Sequence, residues 1–338
     1  MSMRWYVARR LGWTAFATFV ILSFYFALIQ LAPGGGQASF QFSVATSGGS
    51  AEEAAETYKQ IRGLTGPLHE RYFDYMVNMA TGDWGWSQTR NQEVITAISQ
   101  AYPYSLQYAL PATLFSILFG TAVGLYSATH RYTMTDYTGT FISFFGISIP
   151  NFWFGIMLIL ILAVQAPEVT LFGVKLLPLP VYYQTEAVLN HGWVSWENAR
   201  QLIMPVIVLS TAQIAGQMRY SRATAMEYVN AEFVKTARAK GASDWRVLLR
   251  HIFRPALIPL MTIFIAEILG LFFAGAYLVE VIFQIPGLAK LSYDALISQD
   301  TPLFMGTSLI PILLLLLGNL LQDISYTVLD PRIDYGDR

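Results

Sequence analysis

The chain has 338 residues, 54% of them hydrophobic and 13% charged, with a formal net charge of −1 and no cysteine. The charge balance excludes a nucleic-acid binder, which needs a basic excess to neutralise phosphates. Without cysteine, neither a disulfide framework nor a thiolate metal site can form.

The charges collect between long apolar runs, as in a chain that meets hydrocarbon and water alternately. Arg4, Arg9 and Arg10 precede the first such run, over about 11–31. It is long for a secretory signal, and no small-x-small cleavage site follows at once, so it is read as a retained first helix. Residues 32–103 then form a segment too long for a simple connection. Its start, 33–50, is rich in Gly, Ser and Gln. From about 51 to 79 an amphipathic helix is predicted, with Ile61, Leu64, Leu68, Tyr72, Tyr75 and Met79 at three- and four-residue spacing. The segment has too little apolar content for its own core, which makes it a cap on the helix ends. Within it, Asp83 is read as capping a turn.

Five further spans are predicted, over about 104–129, 138–165, 202–219, 255–278 and 303–327. Gly146 and Pro150 interrupt the third and call for a kink or a late start. The fourth carries Gln213, Gly216 and Gln217, a polar half suited to a pore or a partner helix. Glu267 lies inside the fifth, where a carboxylate is costly unless it faces a cavity or a partner. Both of those readings stay open. Asp323, near the end of the last span, is placed at the interface, and Trp84, Trp86, Trp193 and Trp196 in an aromatic belt.

Orientation follows from the basic residues. Arg219, Arg222, Lys235, Arg238, Lys240, Arg246, Arg250 and Arg254 crowd the loop after the fourth span, and His130 and Arg131 follow the second. By contrast, 32–103 holds Lys59, Arg62, Arg71 and Arg90 against a larger number of acids. The positive-inside bias puts both termini in the cytoplasm and 32–103 outside.

The stretch Met218–Pro259 is the informative one. Val229, Phe233 and Ala237 recur every four residues and predict an apolar face, with Lys235, Arg238 and Lys240 on a basic side. Gly241 is placed to end that helix, and Ser243 to cap a second one. This predicts a helix–turn–helix elbow. A basic amphipathic helix resting on anionic lipid would show the same features.

The residues Tyr228-Val…Phe233-Val-Lys235-Thr236-Ala237-Arg238-Ala-Lys240-Gly241-Ala-Ser…Val247-Leu-Leu-Arg-His251 resemble the EAA loop of ABC importer permeases, in its dipeptide, oligopeptide and nickel form. Lys235-Thr236-Ala237 replaces the generic Glu-Ala-Ala, Gly241 keeps the glycine, and His251, Phe253 and Arg254 stand where the generic Ile-x-Leu-Pro would be. Both departures are features of the peptide-permease branch. Gly82-Asp-Trp-Gly85-Trp-Ser87, Ser148-Ile-Pro150-Asn151-Phe-Trp153, Val279-Glu280-Val-Ile-Phe283-Gln-Ile-Pro286-Gly287-Leu288 and Leu329-Asp330-Pro331-Arg332 resemble further motifs of that family, in order.

The resemblance implies an all-α polytopic protein of the type I ABC importer permease fold, with about six transmembrane helices. It divides into a cytoplasmic N-terminus and first helix (1–31), an extracytoplasmic segment (32–103), a transmembrane domain (104–328) with a coupling loop at about 220–254, and a cytoplasmic tail (329–338). It implies a cell-membrane assembly with a second, similar permease, two ATPase subunits and an extracytoplasmic substrate-binding protein. Contact with the ATPase would fall to Tyr228, Glu232, Phe233, Lys235, Thr236, Ala237, Arg238, Lys240 and Gly241. Asn151, Gln213 and Glu267 are pathway candidates. Glu280, Phe283, Pro286 and Gly287 form an outer turn, with Glu280 receiving backbone donors of the Pro286-Gly287 loop.

The chain has no Gly-x-x-x-x-Gly-Lys-Ser/Thr phosphate loop, so ATP and Mg²⁺ would be bound by the partners. His69, His130, His191 and His251 are dispersed without ligand spacing. The expected activity is import of di- or oligopeptides. Nickel or another small solute is an alternative within the branch. A carrier or channel without an ATPase is the rival class, and it would lack the docking helix.

Overall fold

The computed structural model describes residues 3–31, 50, 66–165, 170–171, 174–175, 178–272 and 276–329. Among them the chain is mainly helical. It divides into two compact units, Met1–Ala101 with Leu291–Arg338, and Tyr102–Lys290.

The first unit contains α1 (Met3–Leu31), α2 (Leu68–Thr81) and the two-residue strands β1 (Trp86–Ser87) and β2 (Gln92–Glu93), paired antiparallel. Large apolar side chains cover α1 on several sides, Trp13, Phe16, Phe19 and Phe24 all being exposed, as a helix in lipid requires. Its Leu22 and Phe26 are buried. Phe26 meets the Tyr72 ring edge-on at 5.2 Å, and Ser23 Oγ lies 2.6 Å from Tyr72 Oη. The half-buried face of α2 carries Tyr72, Tyr75 and Met79 at the predicted spacing, but the helix starts only at Leu68, after Gly66 (φ 105°) and Pro67, and Leu68 of the predicted face is exposed. Ile61 and Leu64 lie outside the described residues.

Asp300 organises the β1–β2 hairpin and the start of α12 (Thr301–Leu329). Its carboxylate accepts from Ser87 Oγ at 2.7 Å, Thr89 Oγ1 at 2.7 Å, Thr89 N at 3.0 Å and Leu303 N at 3.3 Å. The motif ending in Ser87 therefore works through a residue more than two hundred positions away. Asp83 Oδ1 accepts from Gly85 N at 3.4 Å, a turn contact within that motif.

Following β2, α3 (Val94–Thr129) begins about ten residues before the predicted start at 104. Pro103 suggested a boundary, but Val94, Ala97, Ile98 and Ala101 form a buried face at helical spacing ahead of it. A π-helical turn interrupts α3 at Ser116–Gly120. Next come α4 (Met134–Ser148) and α5 (Asn151–Val164), bent by 101° at the break before Asn151. The predicted kink falls there because Pro150 removes a backbone donor and bars Ile149 from helical geometry. Strands β3 (Thr170–Leu171) and β4 (Val174–Lys175) and a short α6 (Thr185–His191) lead to α7 (Trp196–Val229). Ser195 caps α7 by accepting from Asn198 N at 3.2 Å. Its 34 residues extend well beyond the predicted 202–219 at both ends.

The elbow helix α8 (Glu232–Ala239) follows. After it, α9 is built from Asp244–Arg246, a π-helical stretch Val247–Phe253 and Arg254–Phe272. It starts before the predicted 255, because the elbow's second helix and the fifth span are one element. Two short helices, α10 (Tyr277–Phe283) and α11 (Leu288–Ile297), precede α12. Among the described residues, five helices are long and apolar enough to cross a membrane, and α4 with α5 makes a sixth if counted as one span.

In the second unit α7 is the hub. A Cβ added at Gly120 would meet Gln217 Cβ at 2.7 Å, and one at Gly124 would meet Met218 O at 2.5 Å. Only glycine at this four-residue spacing lets α3 and α7 approach so closely. Gln217 Nε2 crosses the seam to donate to Thr121 Oγ1 at 3.0 Å, so the close contact is also hydrogen-bonded.

Candidate functional site

Two connections carry the residues singled out by motif. The first is the elbow. Helix α7 stops at Asn230, and Ala231 is extended (φ −64°, ψ 146°). This break resets the helical phase, so Val229, Phe233 and Ala237 do not share the predicted face. Val234 and Ala237 point inward, at 0% and 8% exposure, while Phe233 is 48% exposed. The buried pair packs with Leu125 and Ala128 of α3, Ala225 of α7, and Val247, Leu248 and Ile252 of α9. Tyr228 is half-buried and packs against this core instead of standing on the surface.

Gly241 ends α8 with φ +79°. Gly241 N donates to Arg238 O at 2.9 Å and Ala242 N to Ala237 O at 3.1 Å, the pair of bonds that defines a Schellman termination. Glycine is favoured because a Cβ strains the left-handed backbone. Ser243 stands at the N-cap position of the next helix, but its hydroxyl makes no cap bond, contrary to the prediction. Its carbonyl accepts the first bond of the helix, from Val247 N at 2.9 Å.

The outward side of the elbow is basic and aromatic. Lys235, Thr236, Arg238 and Lys240 are exposed. Lys235 Nζ meets Glu232 Oε1 at 2.7 Å, and Thr236 Oγ1 donates back to Glu232 O. Trp245, 65% exposed, joins Phe233 as a second large apolar side chain on the elbow surface. Sequence reading passed over Trp245, although a tryptophan in a loop of arginines was its available signal.

Just before the elbow, Arg222 pairs with Asp136 in the first turn of α4. Arg222 Nε donates to Asp136 Oδ1 at 2.9 Å and Nη2 to Oδ2 at 3.0 Å. Ser127 Oγ and Tyr132 N complete the carboxylate's shell at 2.8 and 3.1 Å. Sequence reading passed over Asp136 too, because nothing in a linear chain links it to a residue 86 positions on.

The second connection runs from Val279 to Lys290. Glu280 is fully buried and Phe283 is 2% exposed. The Glu280 carboxylate accepts from Ser105 Oγ at 2.6 Å, Tyr108 Oη at 3.0 Å and Lys290 N at 2.8 Å. Its backbone donors thus lie beyond Pro286-Gly287, at the start of α11. Burial pushes its pKa above the ordinary carboxyl value, and the donors of Ser105, Lys290 and Tyr108 oppose that shift. Gln284 reverses the chain with φ 54°. A Cβ at Gly287 would collide with the Glu280 carboxylate and with Ser105 Oγ, so only glycine lets the backbone pass. Phe283 packs with Tyr108, Met204, Val208 and Ile285 in the adjoining core.

The pathway candidates are less tightly organised. Asn151 opens α5 directly after the Pro150 bend, and Gln213 and Glu267 lie on α7 and α9. All three are half-buried, and no hydrogen bond joins any two of them among the described residues. Gln213 Oε1 and Glu267 Oε2 are buried without a hydrogen-bond partner. The Asp323 side chain and 330–338 lie outside the described residues.

Several helices long and apolar enough to cross a membrane define a multi-pass membrane protein, and the elbow between two of its spans is exposed and basic. Residues 120–335 match the model of the family described as "Binding-protein-dependent transport system inner membrane component", and the chain belongs to that family. It is 36% identical to the oligopeptide transport system permease protein AppB of Bacillus subtilis, covering 83% of this chain and 85% of that one. It is 34% identical to the di/tripeptide transport system permease protein DppB of Pseudomonas aeruginosa, covering 97% and 98%. With the oligopeptide transport system permease protein OppB of Haemophilus influenzae the identity is 30%, over 94% and 95%. Such proteins are the permease component of a transport system and not its catalytic one.

Proposed function

We propose that this chain is one of two permease subunits of an ATP-driven importer of di- or oligopeptides, with both termini and the elbow in the cytoplasm. The observation that carries the reading is the division of labour in α8. Its inward side chains are spent on packing, while Phe233, Lys235, Arg238, Lys240 and the nearby Trp245 stay exposed on a helix anchored between α7 and α9. Exposed aromatic and cationic side chains on a rigid support are the ingredients of a docking surface. The peptide substrate is supported by the names of the relatives, and the orientation by the basic residues around the elbow.

On this reading an external binding protein delivers the peptide. Two ATPase subunits, which hold ATP and Mg²⁺, close on binding nucleotide. The elbow passes that closure to α7 and α9, between which it is anchored. Asn151, Gln213 and Glu267 are the candidates to line the pathway, and the Glu280 turn with Phe283, Pro286 and Gly287 is the candidate to hold its outer end. The test is reconstitution with the second permease and the ATPase subunits in proteoliposomes. Uptake of a labelled dipeptide that needs ATP and the binding protein is expected. Failure of any ATPase to copurify overturns the importer reading, whereas ATP-driven uptake of another solute but of no peptide overturns only the substrate.

A further inference from the structure

Elbow and body are joined in two different ways. Helix α8 continues from α7 through a two-residue link, and its buried side shares an apolar core with α3, α7 and α9. The bent pair's first helix, α4, contributes nothing to that core. Along its length it packs on α7 at Gly139 and Gly146, and at its elbow end it is held by a polar device: Asp136, 4% exposed, with each carboxylate oxygen engaged twice.

The donors to that carboxylate come from three places. Ser127 is on α3, Tyr132 (φ 64°) is in the turn between α3 and α4, and Arg222 is on α7, two helical turns before the elbow. The two Arg222 bonds form a planar fork, which fixes direction as well as distance. A buried ion pair contributes little net stability compared with well-packed apolar side chains of similar size. What it does supply is one specified arrangement of the elements it joins.

We propose that Asp136 and Arg222 are positioning residues that tie α4 to the elbow, so that α3, α4, α7 and α8 move as one body during transport. This rests on the reading that α8 docks on an ATPase. Displacing the elbow then displaces the Pro150 bend at the far end of α4, and with it Asn151.

The test uses the full reconstituted complex. Because the chain has no cysteine, single cysteines at exposed Met134 and at Ala239, an exposed position of α8 outside the proposed docking residues, can carry spin labels without other changes. The proposal requires the same label–label distance in nucleotide-free and ATP-trapped complexes. In Arg222→Ala the distance distribution should broaden and uptake per ATP hydrolysed should fall about tenfold, with the ATPase still bound. Arg222→Lys should recover at least part of that ratio. A distance that changes between the two states of the unsubstituted pair overturns the proposal, and so does an unchanged uptake-to-hydrolysis ratio in Arg222→Ala. If Arg222→Ala does not assemble, the Met134–Ala239 distance and the Lys variant still decide. Absence of any ATPase from the complex without substitutions would overturn the docking reading itself, a different result from an ATPase that binds but ignores the tie.

Discussion

The Glu280 turn and the elbow are both short connections between helices in the same unit, yet they aim their chemistry in opposite directions. In the turn, the motif residues face inward: Glu280 and Phe283 are buried and Gly287 lies against the carboxylate. The Glu280 carboxylate is already engaged by Ser105 and Tyr108 of α3 and by the start of α11. In the elbow the charged motif residues of α8 face outward, while Val234 and Ala237, with Tyr228 beside them, are spent on packing. Two motifs of similar conspicuousness in the sequence therefore have different physical meanings. One specifies a fold, and the other leaves aromatic and cationic side chains exposed.

That contrast is most exposed to failure at Gly287. Gly287→Ala would push a methyl into the Glu280 carboxylate and Ser105. Overpacking a buried site and breaking its hydrogen bonds should cost about 3 kcal/mol. The expected result is little folded protein and a melting temperature in detergent far below that of the unsubstituted chain. A normally stable variant would show the turn to be looser than its geometry implies.

Removing the acceptor is the next largest step. Glu280→Ala leaves Ser105, Tyr108 and the Lys290 amide without their partner, at about 2 kcal/mol by the cost of unsatisfied buried groups. The same residue sets a pH dependence. With its folded pKa raised by burial, Glu280 binds its proton more tightly folded than unfolded. Its stabilising contribution is therefore complete below the unfolded pKa and declines as pH rises through the folded value. Melting curves from pH 4 upward should show that decline, and Glu280→Gln should flatten it.

At the elbow the effects on folding shrink while those on function grow. Gly241→Ala places a side chain at φ +79° but meets no atom within 4 Å, so the cost is backbone strain of about 1 kcal/mol. Gly241→Val adds β-branching at the same position and should uncouple uptake from ATP hydrolysis in a protein that still inserts. Unaltered coupling in Gly241→Val would remove the elbow's geometry from the mechanism.

The sequence made some of this legible and hid the rest for identifiable reasons. Spans appeared because hydrocarbon permits few charges, and the Pro150 kink appeared because proline acts locally. The αL glycine at 241 was legible for the same reason. The face of α8 was misassigned because an extended residue, Ala231, reset the phase between Val229 and Phe233. Partnerships across the chain were out of reach: Ser87 with Asp300, Ser105 with Glu280, and Asp136 with Arg222 are joined by folding, not by spacing. The start of α3 was placed late because composition changes at Pro103, whereas the buried face begins at Val94.

The smallest effect on stability belongs to the charge reversals Lys235→Glu and Arg238→Glu, and they separate the two regions most sharply. Lys235 has 60% of its side chain exposed, and its one ion pair is an i,i+3 contact with a Glu232 that is 88% exposed. Exposed pairs of this kind contribute about 0.5 kcal/mol or less, so melting should shift by no more than a degree or two. Capture of ATPase subunits should nevertheless fall, because reversed charges at a docking surface repel where they formerly steered. The comparison variant is Phe233→Ala, which removes a half-exposed aromatic outside the elbow's core and should weaken capture without changing its salt dependence. If the reversals lower stability as much as Glu280→Ala and leave capture intact, the basic side of α8 is structural after all. The two connections would then differ only in where their polar partners lie.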